Sequence, residues 1–332
     1  MKSISYLLLK QATGFRCGIT LPPQKVENTF SDIQLVHNIS VPKDSAQLWD
    51  TASGSISFDE EQAFSGAIAE AMERYCAAIS NFPVKKRDEV TCKKIVKIEE
   101  FSLFSDAQYS NPEFLWKKPR REDVHYGQMY SVYENEEVWV PQELIGLGTK
   151  TEKAIIPSTS TGLAAHRSKY LALLTAIEEL LERDAFSVYW LNSLGGREIK
   201  LEDSYLKQVA EKKGEVYCFN LSQVWNPFPV VAVCGYMPLR GKKRISLGVA
   251  CRHNYKEAIK KAYLEWLQGT VFAGYYSIYH PDLKFDNVSD LHDFDEHGVY
   301  YTIHPENWQN VPLIKKKRMV QRIHSEKVIS GD

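Results

Sequence analysis

Ala67-Ile68-Ala69-Glu70-Ala71-Met72-Glu73-Arg74 and Ala176-Ile177-Glu178-Glu179-Leu180-Leu181-Glu182-Arg183 read almost alike, and a weaker third copy stands at Ala262-Tyr263-Leu264-Glu265-Trp266-Leu267-Gln268-Gly269. Each carries Glu-x-x-Glu, or Glu-x-x-Gln in the third, which on an α-helix sets both polar groups on one face, a turn apart. The neighbouring positions are nearly all apolar: Ala63, Phe64, Ile68, Met72 and Tyr75 in the first segment, Leu171, Leu173, Leu174, Ile177, Leu180 and Phe186 in the second. A helix that is apolar on all sides is normally buried. The pattern therefore predicts two pairs of carboxylates in or beside a core.

Such pairs repel. At about 5 Å and an effective dielectric of about 20, two carboxylates cost on the order of 3 kcal/mol, so several buried together would exhaust a domain's margin of stability. Arg74 and Arg183, each next to the second glutamate of its pair, can neutralise part of the charge. A divalent metal is the natural remainder. With oxygen ligands alone on offer, Mg2+ or Ca2+ is favoured. Mg2+ held by a few carboxylates completes its shell with water and phosphate oxygens, which makes a nucleoside triphosphate the leading guest. One motif by itself would read as a solvated helix face with local salt bridges, but two near-identical copies on apolar helices outweigh that reading.

A chain of 332 residues with 44% hydrophobic and 25% charged residues matches a globular enzyme. A net charge of −1 gives no electrostatic case for nucleic acid or an anionic membrane surface. The apolar run Tyr6-Leu7-Leu8-Leu9 is too short for a signal peptide's hydrophobic region, and no stretch approaches the roughly 20 apolar residues of a membrane helix. Six cysteines, Cys17, Cys76, Cys92, Cys218, Cys234 and Cys251, are scattered without a Cys-x-x-Cys pair, which argues against zinc ribbons and dithiol redox chemistry. Reduced thiols in a cytoplasm are the expectation.

Strands and helices alternate along the chain. Tyr6–Leu9 and Gly18–Leu21 read as short strands, and Thr51–Ser57 as a small-residue stretch leading into the first acidic helix, capped by Ser57 or Asp59. A polar, lysine-rich middle runs from Pro83 to Glu122. Val138–Pro141 reads as a strand, and Ala154–Gly162 as a strand turning through hydroxyl residues into a helix from about Ser168 to Leu191. Val216–Phe219, Val230–Cys234 and Arg244–Cys251 read as apolar strands, the last running into a third helix from Lys256 to about Tyr276. These elements predict an α+β fold, with mixed sheets packed against apolar helices that carry the Glu-x-x-Glu-Arg motifs.

The residues that carry a resemblance are Ser65–Tyr75, Ser158–Ala165, Ile177–Phe186 and Ala258–Ile259 through Glu265–Gly269, with the strands between them. In this order, over about residues 50 to 305, they resemble the YcaO family of ATP-dependent enzymes, and most of all the members that modify ribosomally made peptides. The resemblance implies a single YcaO-type domain over residues 1–332, with ATP among the acidic helices. It implies that Glu70, Glu73, Glu179 and Glu182 hold Mg2+ against the phosphates. Arg74 and Arg183 would steady those carboxylates or contact phosphate, and Glu265 and Gln268 would complete the nucleotide site. The implied chemistry starts when a Cys, Ser or Thr side chain of the peptide adds to a backbone amide carbonyl. ATP then phosphorylates the resulting oxygen, and loss of phosphate leaves an azoline ring; an external sulfur donor would give a thioamide instead. No covalent enzyme nucleophile is required, and positioning with charge neutralisation does the catalysis. A peptide substrate, a separate leader-recognising partner and a homodimer are expected.

The chain departs from that pattern at several points. Gly66 stands where the family often has Ser, a lysine expected near Ser53-Gly54 is missing, His166-Arg167 replaces Gly-Asn, and Thr270 stands where an arginine commonly follows the third motif. Asp295–Tyr301 resembles a segment usually followed by a further αβ portion and a proline-rich tail, whereas this chain closes on Glu326–Asp332 without proline. The expectation is a shortened form that binds nucleotide and turns over peptide poorly. Other features have plain readings: His166 as a capping or solvent-facing residue, His292, Asp293, Asp295, Glu296 and His297 as an exposed turn, Lys315–Arg318 as a solvated charge run, and Tyr275, Tyr276 and Tyr279 as packing. Two further function classes stay in view. One is a degenerate homologue serving as a nucleotide-binding scaffold; the other is a di-metal carboxylate oxidase, discounted because no histidine follows Glu70, Glu179 or Glu265 by three.

Overall fold

The structure, a computed structural model, describes residues 4–28, 34–39, 52–91, 94–145, 147, 155–157, 159–239, 241–287, 290–291 and 294–321. The elements begin with α1 (Ile4–Lys10), β1 (Gln24–Lys25), β2 (Gln34–Ile39), β3 (Ala52–Ser57) and α2 (Glu60–Ile79). Next come β4 (Val84–Lys86), α3 (Asp106–Tyr109), β5 (His125–Ser131), β6 (Glu136–Pro141) and α4 (Lys169–Leu191). Then follow β7 (Arg197–Ile199), α5 (Asp203–Glu211), β8 (Glu215–Asn220), β9 (Val230–Leu239) and β10 (Lys242–Cys251). The last are α6 (Tyr255–Tyr279), α7 (Phe294–Ile303), α8 (Pro312–Lys315) and β11 (Arg318–Gln321).

Near-continuous apolar runs in β9 and β10 require a sheet covered on both faces. The central sheet has the order β10-β9-β8-β7-β11, antiparallel except for the parallel β7–β11 pair. Side chains alternate across it with period two. Cys218, Val231, Val233 and Ala250 meet Ala258, Ala262, Tyr263, Trp266 and Leu267 of α6 on one face. Phe219, Val230, Ala232, Cys234, Ile245 and Cys251 meet Ala185 and Tyr189 of α4, with Trp308 and Leu313, on the other. Each fully buried side chain of this size contributes about 1.5–3 kcal/mol of transfer free energy, which makes α6 the central prop of the fold.

Two smaller antiparallel sheets, β1-β2-β3 and β4-β5-β6, complete the architecture. β3 places the first acidic helix. Asp59 is its cap, accepting the Gln62 N–H at 2.8 Å, while the Ser53 hydroxyl donates to the Ala67 carbonyl at 3.0 Å. Gly66 has a local reason: a Cβ there would lie 2.3 Å from the Ser55 hydroxyl of β3, so strand and helix approach too closely for a serine. Ile56 of β3 joins the core under α6, so β3 ties α2 to α6.

The expected strands at Val138–Pro141, Val216–Phe219, Val230–Cys234 and Arg244–Cys251 fall within β6, β8, β9 and β10, and both long helices fall within a few residues of their expected bounds. Other expectations are corrected. Tyr6–Leu9 belongs to α1, which packs on α2; an apolar run this short fits either helix or strand. Gly18–Leu21 makes only the isolated bridge Thr13–Thr20. The described part of 154–162 is bend and turn rather than strand, with Ala154 and Ser158 outside the described residues. Asp295, Glu296 and His297 start α7 instead of an exposed turn, and His297 lies edge-on against Trp190; His292 and Asp293 are outside the described residues. In the charge run, Lys316 donates to the Ser193 carbonyl at 3.0 Å, and Lys317 pairs with Glu198 at 3.3 Å over the Tyr217 ring. Those lysines are tethered rather than merely solvated.

The burial expected of α4 also needs correction. Its C-terminal half, Leu181 to Trp190, packs on the sheet, while Leu173, Leu174, Ile177 and Leu180 of its N-terminal half are exposed by between 36% and 51%. Apolar composition reports what a helix can bury, not what lies opposite it.

Close approach of α6 to the sheet rests on Gly248, where a Cβ would lie 2.1 Å from the Ala262 carbonyl and 2.4 Å from the Trp266 nitrogen. Gly248→Val should therefore lower stability by about 1–3 kcal/mol or more through overpacking. Urea denaturation checks this; an unchanged midpoint would contradict the packing.

Candidate functional site

Both Glu-x-x-Glu-Arg motifs fold into the same local clamp. On α2, Arg74 lies 3.3 Å from Glu70 one turn back and 3.4 Å from the adjacent Glu73. On α4, Arg183 lies 3.5 Å from Glu179 and 3.7 Å from Glu182. The first glutamate of each motif also accepts a backbone N–H from a glycine preceding its helix. Gly54 donates to Glu70 at 2.9 Å, and Gly162 donates to Glu179 at 3.3 Å. Gly162 has φ +84, a left-handed conformation that glycine adopts without steric cost, so the turn before α4 can aim its N–H at the carboxylate. One guanidinium spanning two carboxylates is a natural consequence of the i, i+3, i+4 spacing.

The third helix closes the arrangement. Lys261 pairs with Glu265 at 2.9 Å on α6. Glu265 and Lys261 both act electrostatically on Glu70 and on Glu182, and Glu179 acts on Glu73, so the acidic faces of α2, α4 and α6 look onto one space. Glu182 accepts the Cys251 N–H at 3.3 Å from the end of β10, and Glu178 pairs with Arg252 at 3.3 Å. Gln268 is half-buried one turn beyond Glu265. Carboxylates Glu70, Glu73, Glu178, Glu179, Glu182 and Glu265 thus outnumber the cations Arg74, Arg183, Arg252 and Lys261.

Burial makes this imbalance costly. It is the largest cause raising the Glu70, Glu73 and Glu178 carboxyls above the ordinary value. Glu182 is pushed up to about 8, by burial first and then by the Glu265 charge, against Arg183, Arg252 and the Cys251 N–H. Among the described residues no three acidic, His or Cys side chains form a ready-made ligand set. The donor set nevertheless fits Mg2+: it is all oxygen, carries excess negative charge, and leaves shell positions for phosphate and water, as Mg2+ sites commonly do.

Sequence reasoning named Glu70, Glu73, Arg74, Glu179, Glu182, Arg183, Glu265 and Gln268, and missed Glu178, Arg252, Lys261 and the two glycine N–H donors. Lys261 was detectable as the residue four before Glu265. Arg252 and the Cys251 N–H meet α4 only through the fold. His166 takes the plain role expected of it, its Nδ1 accepting the Ser168 N–H at 3.3 Å. Thr270 is 2% exposed and its hydroxyl donates to the Leu267 carbonyl, so this position contributes no cation. A cavity of about 150 Å³ between Glu27, Val271 and Ile278 lies apart from the acidic cluster and is smaller than common ligand pockets.

A carboxyl whose folded pKa lies above its unfolded value contributes stability that is complete below the unfolded value and is lost as pH rises through the folded one. For Glu182 that window runs from 4.5 to about 8. The metal-free and nucleotide-free protein should lose unfolding free energy across it, and Glu182→Gln, which stays neutral, should flatten the decline. Urea denaturation at several pH values in this range reads the slope; an identical slope in the variant would refute the assignment.

Comparisons with known proteins identify the family and the fold. The family model for YcaO cyclodehydratase, described as ATP- and Mg2+-binding, matches residues 56–322. No curated protein sequence matches the chain. Among solved structures, a heterocyclase in complex with substrate and cofactor is similar with a TM-score of 0.73 at 16% identity, over 93% of this chain and 43% of the other. The YcaO from Methanopyrus kandleri bound with AMPPCP and Mg2+ is similar with a TM-score of 0.67 at 14% identity, over 98% of this chain and 76% of the other. The E. coli microcin synthetase McbBCD complex gives 0.65 at 16% identity, over 93% of this chain and 78% of the other. This chain thus spans less than half of the heterocyclase it matches, and at these identities the solved structures speak for the fold. With the family model covering most of its length and the paired acidic helices in place, the chain belongs to the YcaO family.

Proposed function

We propose that this protein activates peptide backbone amides at the expense of ATP, forming azoline rings in ribosomally made peptides. The observation that carries the reading is the duplicated clamp: two helices, each holding a Glu–Arg pair under a glycine N–H, facing a third acidic helix across a space with uncompensated negative charge. Glu70, Glu73, Glu179 and Glu182 would hold Mg2+, with Glu265 and Gln268 completing the nucleotide site. Bound there, ATP with Mg2+ supplies the phosphoryl group that turns an amide oxygen into a leaving group. Arg74 and Arg183 each hold one oxygen of the first glutamate of their motif, and the Gly54 and Gly162 N–H groups hold the other, which fixes the direction of each carboxylate. The peptide's own Cys, Ser or Thr side chain adds to the preceding carbonyl, so this chain contributes alignment and charge neutralisation, which can supply about 7–11 kcal/mol of a barrier.

We further infer that residues 1–332 act as one YcaO-like unit on a peptide presented by a leader-recognising partner. The similarity to the E. coli microcin synthetase complex with pro-MccB17 bound supports such an assembly. The exposed apolar half of α4 supports a homodimer. Free thiols at Cys218, Cys234 and Cys251, buried in the core, agree with a cytoplasmic setting, and no helix among the described residues is long and apolar enough to cross a membrane.

Glu179→Ala and Glu182→Ala should each abolish Mg2+-dependent nucleotide binding while circular dichroism stays unchanged, and calorimetric titration reads the loss. Unchanged ATP affinity in both variants would remove the nucleotide site. With ATP and a leader-bearing peptide, mass spectrometry should show loss of one water per ring. Exchange of oxygen for sulfur would mark thioamide formation, and ATP binding without any peptide change would mark a scaffold.

A further inference from the structure

The resemblance leads one to expect an arginine at position 270, and Thr270 cannot serve: it is buried, and its hydroxyl is committed to the Leu267 carbonyl. α6 instead offers Lys261. Positions 261, 265 and 268 differ by four and three residues, which sets Lys261, Glu265 and Gln268 on one helical face. That face looks onto the other two acidic helices, since Lys261 acts electrostatically on Glu70 of α2 and on Glu182 of α4. Its ammonium lies 2.9 Å from Glu265. Each acidic helix therefore carries a cation one turn from a carboxylate: Arg74 with Glu70, Arg183 with Glu179, Lys261 with Glu265.

The four cations of the site differ in their freedom. Arg74 and Arg183 each span two glutamates of their own helix, and Arg252 is held between Glu178 and the Cys251 carbonyl. Among the described residues Lys261 makes a single ion pair, and its side chain is partly exposed. An ammonium is a compact point charge on a flexible stem and can change anionic partners by rotating its side chain, which a two-carboxylate guanidinium fork cannot do without breaking both contacts.

We propose that Lys261 is the cation that α6 contributes to the triphosphate of a bound nucleotide, moving from Glu265 to a phosphate oxygen as the nucleotide enters. This rests on the nucleotide-site reading above. The exchange would keep Lys261 paired in both states and would free the Glu265 carboxylate for a cation that accompanies the nucleotide. It also explains how α6 serves an anionic ligand with Thr270 in place of an arginine.

Calorimetric titration with AMPPCP and Mg2+, and separately with adenosine, tests the proposal on the wild type, Lys261→Gln, Lys261→Arg and Glu179→Gln. Lys261→Gln should weaken AMPPCP binding about tenfold or more, the loss of one charge-assisted contact, and leave adenosine binding unchanged, with at most a small fall in the thermal midpoint from the charge lost beside Glu265. Lys261→Arg should restore most of the affinity. Undiminished AMPPCP affinity in Lys261→Gln, or equal loss for adenosine and AMPPCP, would overturn the role at the phosphates. So would a loss that follows a lowered thermal midpoint and is not rescued by arginine. Glu179→Gln separates the two levels. If it loses Mg2+-dependent binding while Lys261→Gln does not, only the lysine assignment falls; if it binds AMPPCP as well as wild type does, the nucleotide site itself falls.

Discussion

Repulsion among half-buried carboxylates is the constraint around which this molecule is built. Glu70, Glu73, Glu179, Glu182 and Glu265 come from three helices far apart in sequence, and their charges meet in one low-dielectric space. Left alone they would push those helices apart. The fold answers with three devices: a guanidinium one turn from each first glutamate, a glycine N–H aimed at the same carboxylate, and a lysine on the third helix. These do not balance the charge completely. A site that remains short of positive charge favours a divalent cation, and Mg2+ held by a few carboxylates keeps shell positions for water and phosphate oxygens.

Stability and function are therefore separated in space. The energy that holds the fold comes from the central sheet and α6, where Val231, Val233, Trp266 and Leu267 are essentially excluded from water. The acidic faces lie at the margin of that core, where α2, α4 and α6 converge. Rigid packing behind the site keeps mutually repelling groups from drifting, and such preorganisation is what phosphoryl-transfer chemistry asks of a protein. The ties between layers are few and specific. Ile56 anchors β3 beneath α6, the Cys251 N–H reaches Glu182, and Arg252 reaches Glu178.

Several departures from the family pattern acquire local reasons. Gly66 makes room for Ser55, since the strand before α2 lies too close to admit a side chain. Thr270 is absorbed into the core of α6. His166 satisfies the amide of the residue that opens α4.

The amino-acid sequence by itself determined the acidic helices, the apolar strands β8 to β10 and the Glu–Arg partnerships, because i, i+3 and i+4 spacing and period-two alternation are properties of local backbone geometry. It also carried the identity of the fold, through motifs long enough to be specific. It did not determine which apolar faces would be covered. The first half of α4 reads as core and stands partly in solvent, and Tyr6–Leu9 reads as strand and folds as a helix against α2. Arg252 and the Cys251 N–H became partners of Glu178 and Glu182 only when tertiary packing brought the end of β10 against α4, and the Gly54 and Gly162 N–H groups only when the segments before α2 and α4 folded back on them. The physical reason is common to all of them: local periodicity says what a segment can present, and contacts between distant segments decide what it meets.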